Sequence, residues 1–427
     1  MVDLCLINCK IVPENRECSI GIEEGKIAFI KKIPPKCEKT IDLKGNPVLP
    51  GLIDSHVHFR DPGLNYKEDF RSGSMSAAAG GFTTVIDMPN TKPPTATKKA
   101  FLDKKKIAEK KSIVDFALHA SVYKTEHIKP LSKLRPASFK IYNDLVDNGF
   151  IMEIFKEVSK LSQDQLISVH AEDKSITDYC MESERTNSDS NAKIYANARP
   201  PLAEIVSVST SIALANFFNV NTHICHVSTS KSLELVNQSK NMGCKVTSEI
   251  TPHHLFLDDS YFEKWGNLAK TNPPLRDNKN RLKISDLKNI DTIGTDHAPH
   301  TLKEKKRNVW EAPPGIPNLD TTLPLLLTQI NQNKMGFGDI KRLLCENPAK
   351  IFKLENKGMI KEGMDADFVF VDMKKESIIT PENFKTKAKY SPFSGFKVKG
   401  TPVMTMIRGN VVMENGEIFE NKGKFVY

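Results

Sequence analysis

The chain has 427 residues, 39% hydrophobic and 26% charged, which is enough for a large core with a smaller companion unit. Its formal charge of +9 is spread over scattered lysines with short clusters at "KKAFLDKKK" and "KEKKR"; no basic stripe interleaved with aromatics is present, which argues against nucleic-acid binding and leaves a solvated surface with a mild pull on small anions. No run of 18 apolar residues appears, so no membrane span is expected. In chain order, the N-terminal stretch "MVDLCLINCKIVPEN" lacks a basic-then-apolar leader pattern and reads as a strand and a turn. "CSIGIEEGKIAFIKK" continues in short strands. From Pro47 onward, eight apolar, β-rich runs alternate with helix-like stretches: "PVLPGLIDSHVHF", "FTTVIDMPN", "SIVDFALHASV", "ASFKIYND", "QLISVHAED", "THICHVSTS", "KVTSEITPHH" and "DTIGTDHAPH". Between them lie segments such as "KEDFRSGSMSAAAGG", "GFIMEIFKEVSKL" and "KSLELVNQSKNMG". The segment "TLKEKKRNVWEAPPGIPN" after the eighth run is polar, Pro-rich and unpatterned, the character of a mobile active-site loop. "DADFVFVD" and "MTMIRGNVVMENGEIF" near the C-terminus return to the short-strand character of the beginning.

Eight βα units predict an α/β chain folded as a (β/α)8 TIM-type barrel, and near-continuous apolar strands suit a parallel sheet covered on both faces. The two ends are expected to meet in one small β-sandwich domain beside the barrel. The predicted divisions are 1–50 and 357–427 for that domain and 51–356 for the barrel. The eight cysteines show no CxxC and no compact framework; a large chain without a leader predicts a cytoplasmic protein with reduced thiols that serve as small core residues.

In a TIM barrel, chemistry sits at the C-terminal ends of the strands. The first run ends in "SHVHFR", and alternate side chains of a strand share a face, so His56, His58 and Arg60 are expected on one side. The second run ends in Asn90, the fourth carries Lys140, the fifth ends in His170, the sixth in His226 and the eighth in Asp296. A lone histidine is commonly a core or surface residue. Metal-ligand residue types at matching ends of several strands form a pattern.

"DSHVHFRDPG", "IDMPNTKPP", "VHAED", "CHVST", "TPHHL", "NPPLR" and "GTDHAPH" resemble the amidohydrolase superfamily, and most closely its dihydroorotases. The likeness extends to the closing "GMIKEGMDADFVFVD". It implies two divalent metals, usually zinc, with His56, His58 and Asp296 on one and His170 and His226 on the other; imidazole and carboxylate are suitable zinc ligands. It also implies an anion shared by both metals. An ammonium is disfavoured beside two dications, whereas a neutral amine takes up CO2 to become a carbamate, so N6-carboxylated Lys140 is the expected bridge. Some relatives use an aspartate instead, for which Asp144 or Asp147 is available. His253 and His254 match a family motif as packing or supporting groups, and Cys225 and Glu249, which support an extra metal in some relatives, have ordinary core or supporting readings here.

The resemblance further implies that Arg60 and Asn90 grip a substrate carboxylate, the natural partner of a planar guanidinium, while Asn272 and His300 contact the ring and carboxylate. "APPGIPNLD" resembles a segment whose backbone touches the pyrimidine, with Asn318 where a second glycine is usual. The implied reaction interconverts N-carbamoyl-L-aspartate and L-dihydroorotate, with Asp296 as proton carrier and no organic cofactor. The expected partner is this small molecule, without nucleic acid or membrane; a transcarbamoylase partner and a homo-oligomer stay open. Two alternatives remain: a hydantoinase- or allantoinase-like enzyme sharing the metals, against which the Arg60–Asn90 pair argues, and a non-catalytic barrel scaffolding another pyrimidine enzyme, which would lack the ligands.

Overall fold

The computed structural model describes residues 2–161, 165–186 and 192–427. Its barrel strands are β1 (Leu52–Val57), β2 (Phe82–Asp87), β3 (Asp115–Leu118), β4 (Phe139–Tyr142), β5 (Leu166–His170), β6 (Asn221–Ile224), β7 (Val246–Ile250) and β8 (Thr292–Ile293). Neighbours pair in parallel: β1 to β3 form one sheet, and Ala120–Ser121, one residue beyond β3, begins a second that runs from β4 to β8. The barrel closes where Val57 bridges His297 and the His58 N–H donates to the His297 carbonyl at 2.9 Å. β1, β2, β3 and β5 are buried at every residue, which accounts for their unbroken apolar runs.

The crossover helices follow their sequence patterns. Helix Asn148–Ser159 starts at Asp147, whose side chain accepts from the Phe150 N–H, and buries Ile151, Ile154, Phe155 and Val158, one stripe of a 3.6-residue period. Thr229 caps helix Ser230–Asn241 in the same way. Helix Pro201–Phe218 differs from expectation. The stretch 192–218 reaches a mean hydropathy of 1.4, and its length and composition would allow it to cross a membrane. Interspersed Ser, Thr and Asn keep it from being one apolar run. Its one acidic group, Glu204, is buried and accepts from Ser228 and Thr229 at the end of β6.

Strands from both chain ends share one nine-stranded sheet. Pro47–Pro50 is the joint: it pairs in parallel with Val2–Ile11, antiparallel with Phe368–Ile378, and leads straight into β1. Leu6, Ile20 and Ile22 from one end pack with Phe368, Phe370 and Met406 from the other. Cys5 and Cys37 form a disulfide, their Cα atoms 6.0 Å apart. This corrects the expectation of reduced thiols: Val2–Ile11 and Cys37–Asp42 are neighbouring parallel strands, which brings together two cysteines that the sequence separates by 32 residues.

Barrel and sheet are tied by a buried ion cluster. Lys357 Nζ lies 2.6 Å from Asp115 Oδ2, 2.6 Å from Asp367 Oδ2 and 2.9 Å from Asp365 Oδ2, and Arg408 also pairs with Asp115. Lys357→Met leaves these carboxylates without their shared cation, two of them deeply buried. It should destabilise the fold by about 3–5 kcal/mol, the scale for breaking a buried pair from one side. Denaturant unfolding measures this, and a loss below about 1 kcal/mol would contradict it.

Candidate active site

A cavity of about 320 Å³ opens at the C-terminal rim of the barrel. It is lined by His56, His58, Arg60, Asn90, His170, His226, Asn272, Asp296 and His300, together with Tyr142, Asp144, Pro314 and Gly315. All the rim residues singled out in the sequence therefore meet at one cavity except Lys140, which lies beneath it, 1% exposed.

His56 and His58 face one carboxylate oxygen: Asp296 Oδ1 is 3.4 Å from His56 Nε2 and 2.9 Å from His58 Nε2. The other nitrogen of each ring is held from behind. His56 Nδ1 lies 2.7 Å from Glu249 Oε1, and His58 Nδ1 lies 2.7 Å from Asn90 Oδ1. A second pair faces inward, with His170 Nδ1 3.0 Å from His226 Nε2. His170 Nε2 is held 2.8 Å from Glu172 Oε2, and Arg199 anchors Glu172 with contacts of 2.7–3.1 Å. Burial opposes ionisation of Glu172, but the Arg199 charge and the hydrogen bond with His170 win and keep it well below the usual carboxylate range. Burial lowers His56, and it lowers His58 and His226 further, helped by Arg60 beside His58 and His170 beside His226. These lowered values keep His56, His58 and His226 uncharged at pH 7.

The donor set fits divalent cations. Histidine nitrogens converge while their opposite nitrogens rest on carboxylate or amide oxygens, the arrangement that orients metal-binding imidazoles. His226 Nδ1 is buried without a hydrogen-bond partner. Lys140 Nζ contacts Cys225 Sγ at 3.0 Å and pairs with no carboxylate among the described residues. A buried ammonium left in that way is costly; a carbamate at the same place would supply the anion that cations require.

The alternative bridging aspartates separate clearly. Asp147 is the exposed cap of helix Asn148–Ser159. Asp144 does line the cavity, but it is bound by Arg199 Nη2 at 2.6 Å. His253 and His254 are buried behind the site, where His253 Nδ1 meets Asn318 and His254 Nε2 meets the Pro273 carbonyl. Cys225 and Glu249 lie within reach of His56, as a group that could itself hold an ion. Each already has a partner, Lys140 for Cys225 and both His56 and Ser55 for Glu249.

Arg60 reaches the cavity by a route other than strand alternation. β1 ends at Val57, and Arg60 has φ +61°, in the left-handed region. His226 (φ +36°) and Asp296 (φ +45°) share this feature. Such backbone costs of order 1–3 kcal/mol per residue and is concentrated at functional sites. Arg60 is buried, its Nε has no partner, and its Nη2 lies 3.1 Å from His300 Nε2. It makes no ion pair with a carboxylate among the described residues. Lys67 Nζ approaches the other face of His300 at Nδ1, 3.1 Å away, and pairs with Glu304 at 2.8 Å. Asn272 Oδ1 accepts from the Tyr195 hydroxyl at 2.7 Å.

The segment after β8 is more ordered in its bonding than its composition suggests. Thr301 caps a helical turn, Leu302–Lys305, through a capping box with Glu304. Lys305 and Lys270 are buried and donate to backbone carbonyls of the following loop. Asn318 donates from Nδ2 to the Thr295 carbonyl and to His253, replacing the freedom of a glycine with a fixed anchor. Sequence reading did not identify Glu172, Arg199, Lys67 or the lysine pair as part of this apparatus. Glu172 stood in the quoted "VHAED", but nothing local tied it to His170.

The Amidohydrolase family model matches residues 48–412. The chain is 47% identical to a dihydroorotase of Methanothermobacter thermautotrophicus over 426 residues, covering 100% of this chain and 97% of the relative. It is 43% identical to a dihydroorotase of Methanosphaera stadtmanae, with 100% of both covered. Among solved structures it is similar to the L-hydantoinase (dihydropyrimidinase) from Arthrobacter aurescens, with a TM-score of 0.96, 33% identity and 100% of both chains covered.

Proposed function

The chain belongs to the amidohydrolase family, and from that premise we propose that it is a cyclic amide hydrolase working as a dihydroorotase, interconverting N-carbamoyl-L-aspartate and L-dihydroorotate in pyrimidine synthesis. The observation that carries this reading is Arg60: a buried guanidinium on the cavity wall, without a carboxylate partner among the described residues, calls for an anionic ligand. Dihydroorotate brings a carboxylate, and a planar guanidinium binds that group through two parallel hydrogen bonds.

On this reading His56, His58 and Asp296 would hold one divalent ion, zinc by preference, and His170 and His226 a second, with carboxylated Lys140 supplying the anion they would need. Bound there, such ions make a water more acidic and polarise an amide carbonyl. The chain's own groups do the rest. In ring opening, water oxygen bonds to the ring carbonyl carbon, and the Asp296 carboxylate accepts the water proton. The carbon–nitrogen bond then breaks, and Asp296 returns the proton to the leaving nitrogen; ring closure is the reverse. Glu249, Asn90 and Glu172 keep His56, His58 and His170 in their orientations. With Asn90 Oδ1 on His58, its amide Nδ2 is the donor for the substrate carboxylate. Asn272 Oδ1 is likewise taken by Tyr195, so Nδ2 meets the ring. The same reading proposes a transcarbamoylase, as source of carbamoyl aspartate, for a partner enzyme, a homo-oligomer as the working form, and the cytoplasm as its compartment. It also divides the chain into a barrel of 51–356 and a β-domain of 1–50 with 357–427.

A hydantoinase is the second reading, motivated by the fold likeness. Arg60→Gln separates the two. A charge-assisted hydrogen bond contributes roughly 1.5–3 kcal/mol, so kcat/KM for dihydroorotate should fall at least about tenfold. Metal content and the slow turnover of neutral dihydrouracil should stay as in the parent. A parent that prefers the neutral ring, or an equal loss on both substrates, would transfer the assignment to the hydantoinase reading.

A further inference from the structure

We infer that Lys270 and Lys305 are positioning residues that clamp one wall of the substrate cavity, and that they set how tightly substrate is held rather than how fast it reacts. This rests on the reading of that cavity as the substrate site. The wall is the loop ending at Pro314 and Gly315, both of which line the cavity with Arg60, Asn272 and His300. Two lysines support it from below, each 2% exposed. Lys270 Nζ donates to the carbonyls of Val309 (2.5 Å) and Ala312 (2.6 Å). Lys305 Nζ donates to those of Lys270 (3.3 Å), Pro313 (3.1 Å) and Gly315 (3.0 Å). Burial pushes both lysines down, Lys270 to about 7, and only the ammonium form has three N–H donors for the three acceptors around Lys305 Nζ. Neither lysine has a carboxylate partner among the described residues. Lys270 Nζ also sits 3.7 Å from the centre of the Tyr195 ring, and Lys305 Nζ 5.7 Å from that of Tyr390; the nearby charges are cationic, Arg199 for Lys270 and both Lys270 and Arg60 for Lys305.

A lysine is an unusual choice for ordering a loop from inside, because burying a cation without a counter-ion is costly. Its advantage is reach: one nitrogen can gather carbonyls from several residues at once. The two clamps are also linked. The Gly315 N–H donates to the Lys270 carbonyl at 2.8 Å, and that carbonyl accepts from Lys305. Lys270 lies two residues before Asn272, so the same backbone that carries a substrate contact also anchors the opposite wall. Tyr390 adds a hydroxyl donor to the Gly315 carbonyl at 3.0 Å, and Gly315 itself has φ +143°, a conformation suited to glycine, with Ala298 filling the place of a Cβ. Removing Lys270 takes the lysine donor from the Val309 and Ala312 carbonyls, and removing Lys305 takes it from Pro313, while the Gly315 and Lys270 carbonyls keep the Tyr390 hydroxyl and the Gly315 N–H. The loop then loosens between Val309 and Gly315, while Ile316 still accepts from the Ala298 N–H at 3.0 Å.

The test uses the full chain with its metals. Lys305→Met and Lys270→Met should each raise KM for dihydroorotate about tenfold or more, with kcat within about threefold of the parent and metal content unchanged. A merely destabilised enzyme would instead lose active fraction, lowering kcat at constant KM. Hydrogen exchange of 308–316 should speed up in both variants, a readout that needs no substrate. Tyr390→Phe removes one hydroxyl and no charge, and should shift KM and exchange in the same direction by less. Unchanged exchange, or faster exchange with KM unmoved, would overturn the inference. If the lysine variants do not fold, Tyr390→Phe decides it by the same two measures. A parent inactive on dihydroorotate would defeat the functional reading, and the exchange result would still judge the clamp.

Discussion

Asp296→Asn should lower kcat for ring opening and ring closure alike by about 10²–10⁴-fold, the range of a lost general acid–base. Asparagine keeps the shape of the side chain, so the contact of Oδ1 with His58, 2.9 Å in the parent, has a sterically equivalent substitute. What disappears is the ability to accept a proton from water and return it to nitrogen. The overall equilibrium is unchanged by the mutation, so kcat/KM must fall by the same factor for ring opening and ring closure. The neighbouring histidines are poor substitutes, since burial holds His56 and His58 below their ordinary range. Loss of the carboxylate also weakens the hold of the His56–His58 cluster on a cation, so metal content must be measured alongside rate. Full metal with near-normal turnover would exclude Asp296 as the proton carrier.

Lys140→Ala should abolish most activity, by more than about a hundredfold, and millimolar short carboxylic acids should restore part of it. The argument starts from burial. Lys140 is 1% exposed, touches a thiol, and has no ion pair among the described residues. Burial pushes that Cys225 thiol up to about 12, so it offers no thiolate to balance an ammonium. A carboxylated lysine resolves this arrangement by turning a buried cation into an anion beside the cations that the histidines would hold. Alanine opens a space in which acetate or propionate can place a carboxylate without a covalent tether. Rescue that depends on the acid's size would support this account. Undiminished activity in the unrescued variant would rule out Lys140 as the bridge and direct attention to Asp144, the remaining carboxylate on the cavity wall.

The barrel was legible in the sequence because its signal is local. Eight apolar runs of strand length recur at βα spacing, and β1, β2, β3 and β5 are buried at every residue, so their runs are unbroken. The strand ends placed His56, His58, Asn90, His170, His226 and Asp296 on one rim for the same reason. Arg60 shows the limit of that argument. Counting by twos along a strand put it on the correct side, yet the strand stops at Val57 and a left-handed residue turns Arg60 into the cavity. The result agreed while the mechanism did not, because chain reversal beyond a strand is set by the turn and not by the pleat.

Tertiary structure alone decided which atom of each residue faces the site. His56 presents Nε2 because Glu249, 193 residues away, holds Nδ1; His58 presents Nε2 because Asn90, 32 residues away, holds Nδ1. It also decided that Cys5 meets Cys37, that the apolar helix Pro201–Phe218 packs on barrel strand β6, and that Lys270 and Lys305 share one loop. Periodicity records which face of an element a residue occupies, since that depends only on its own backbone. Hydrogen-bond partners, ring orientation and the burial of an unpaired cation depend on groups brought together by closure of the barrel, and no window of neighbouring residues contains them.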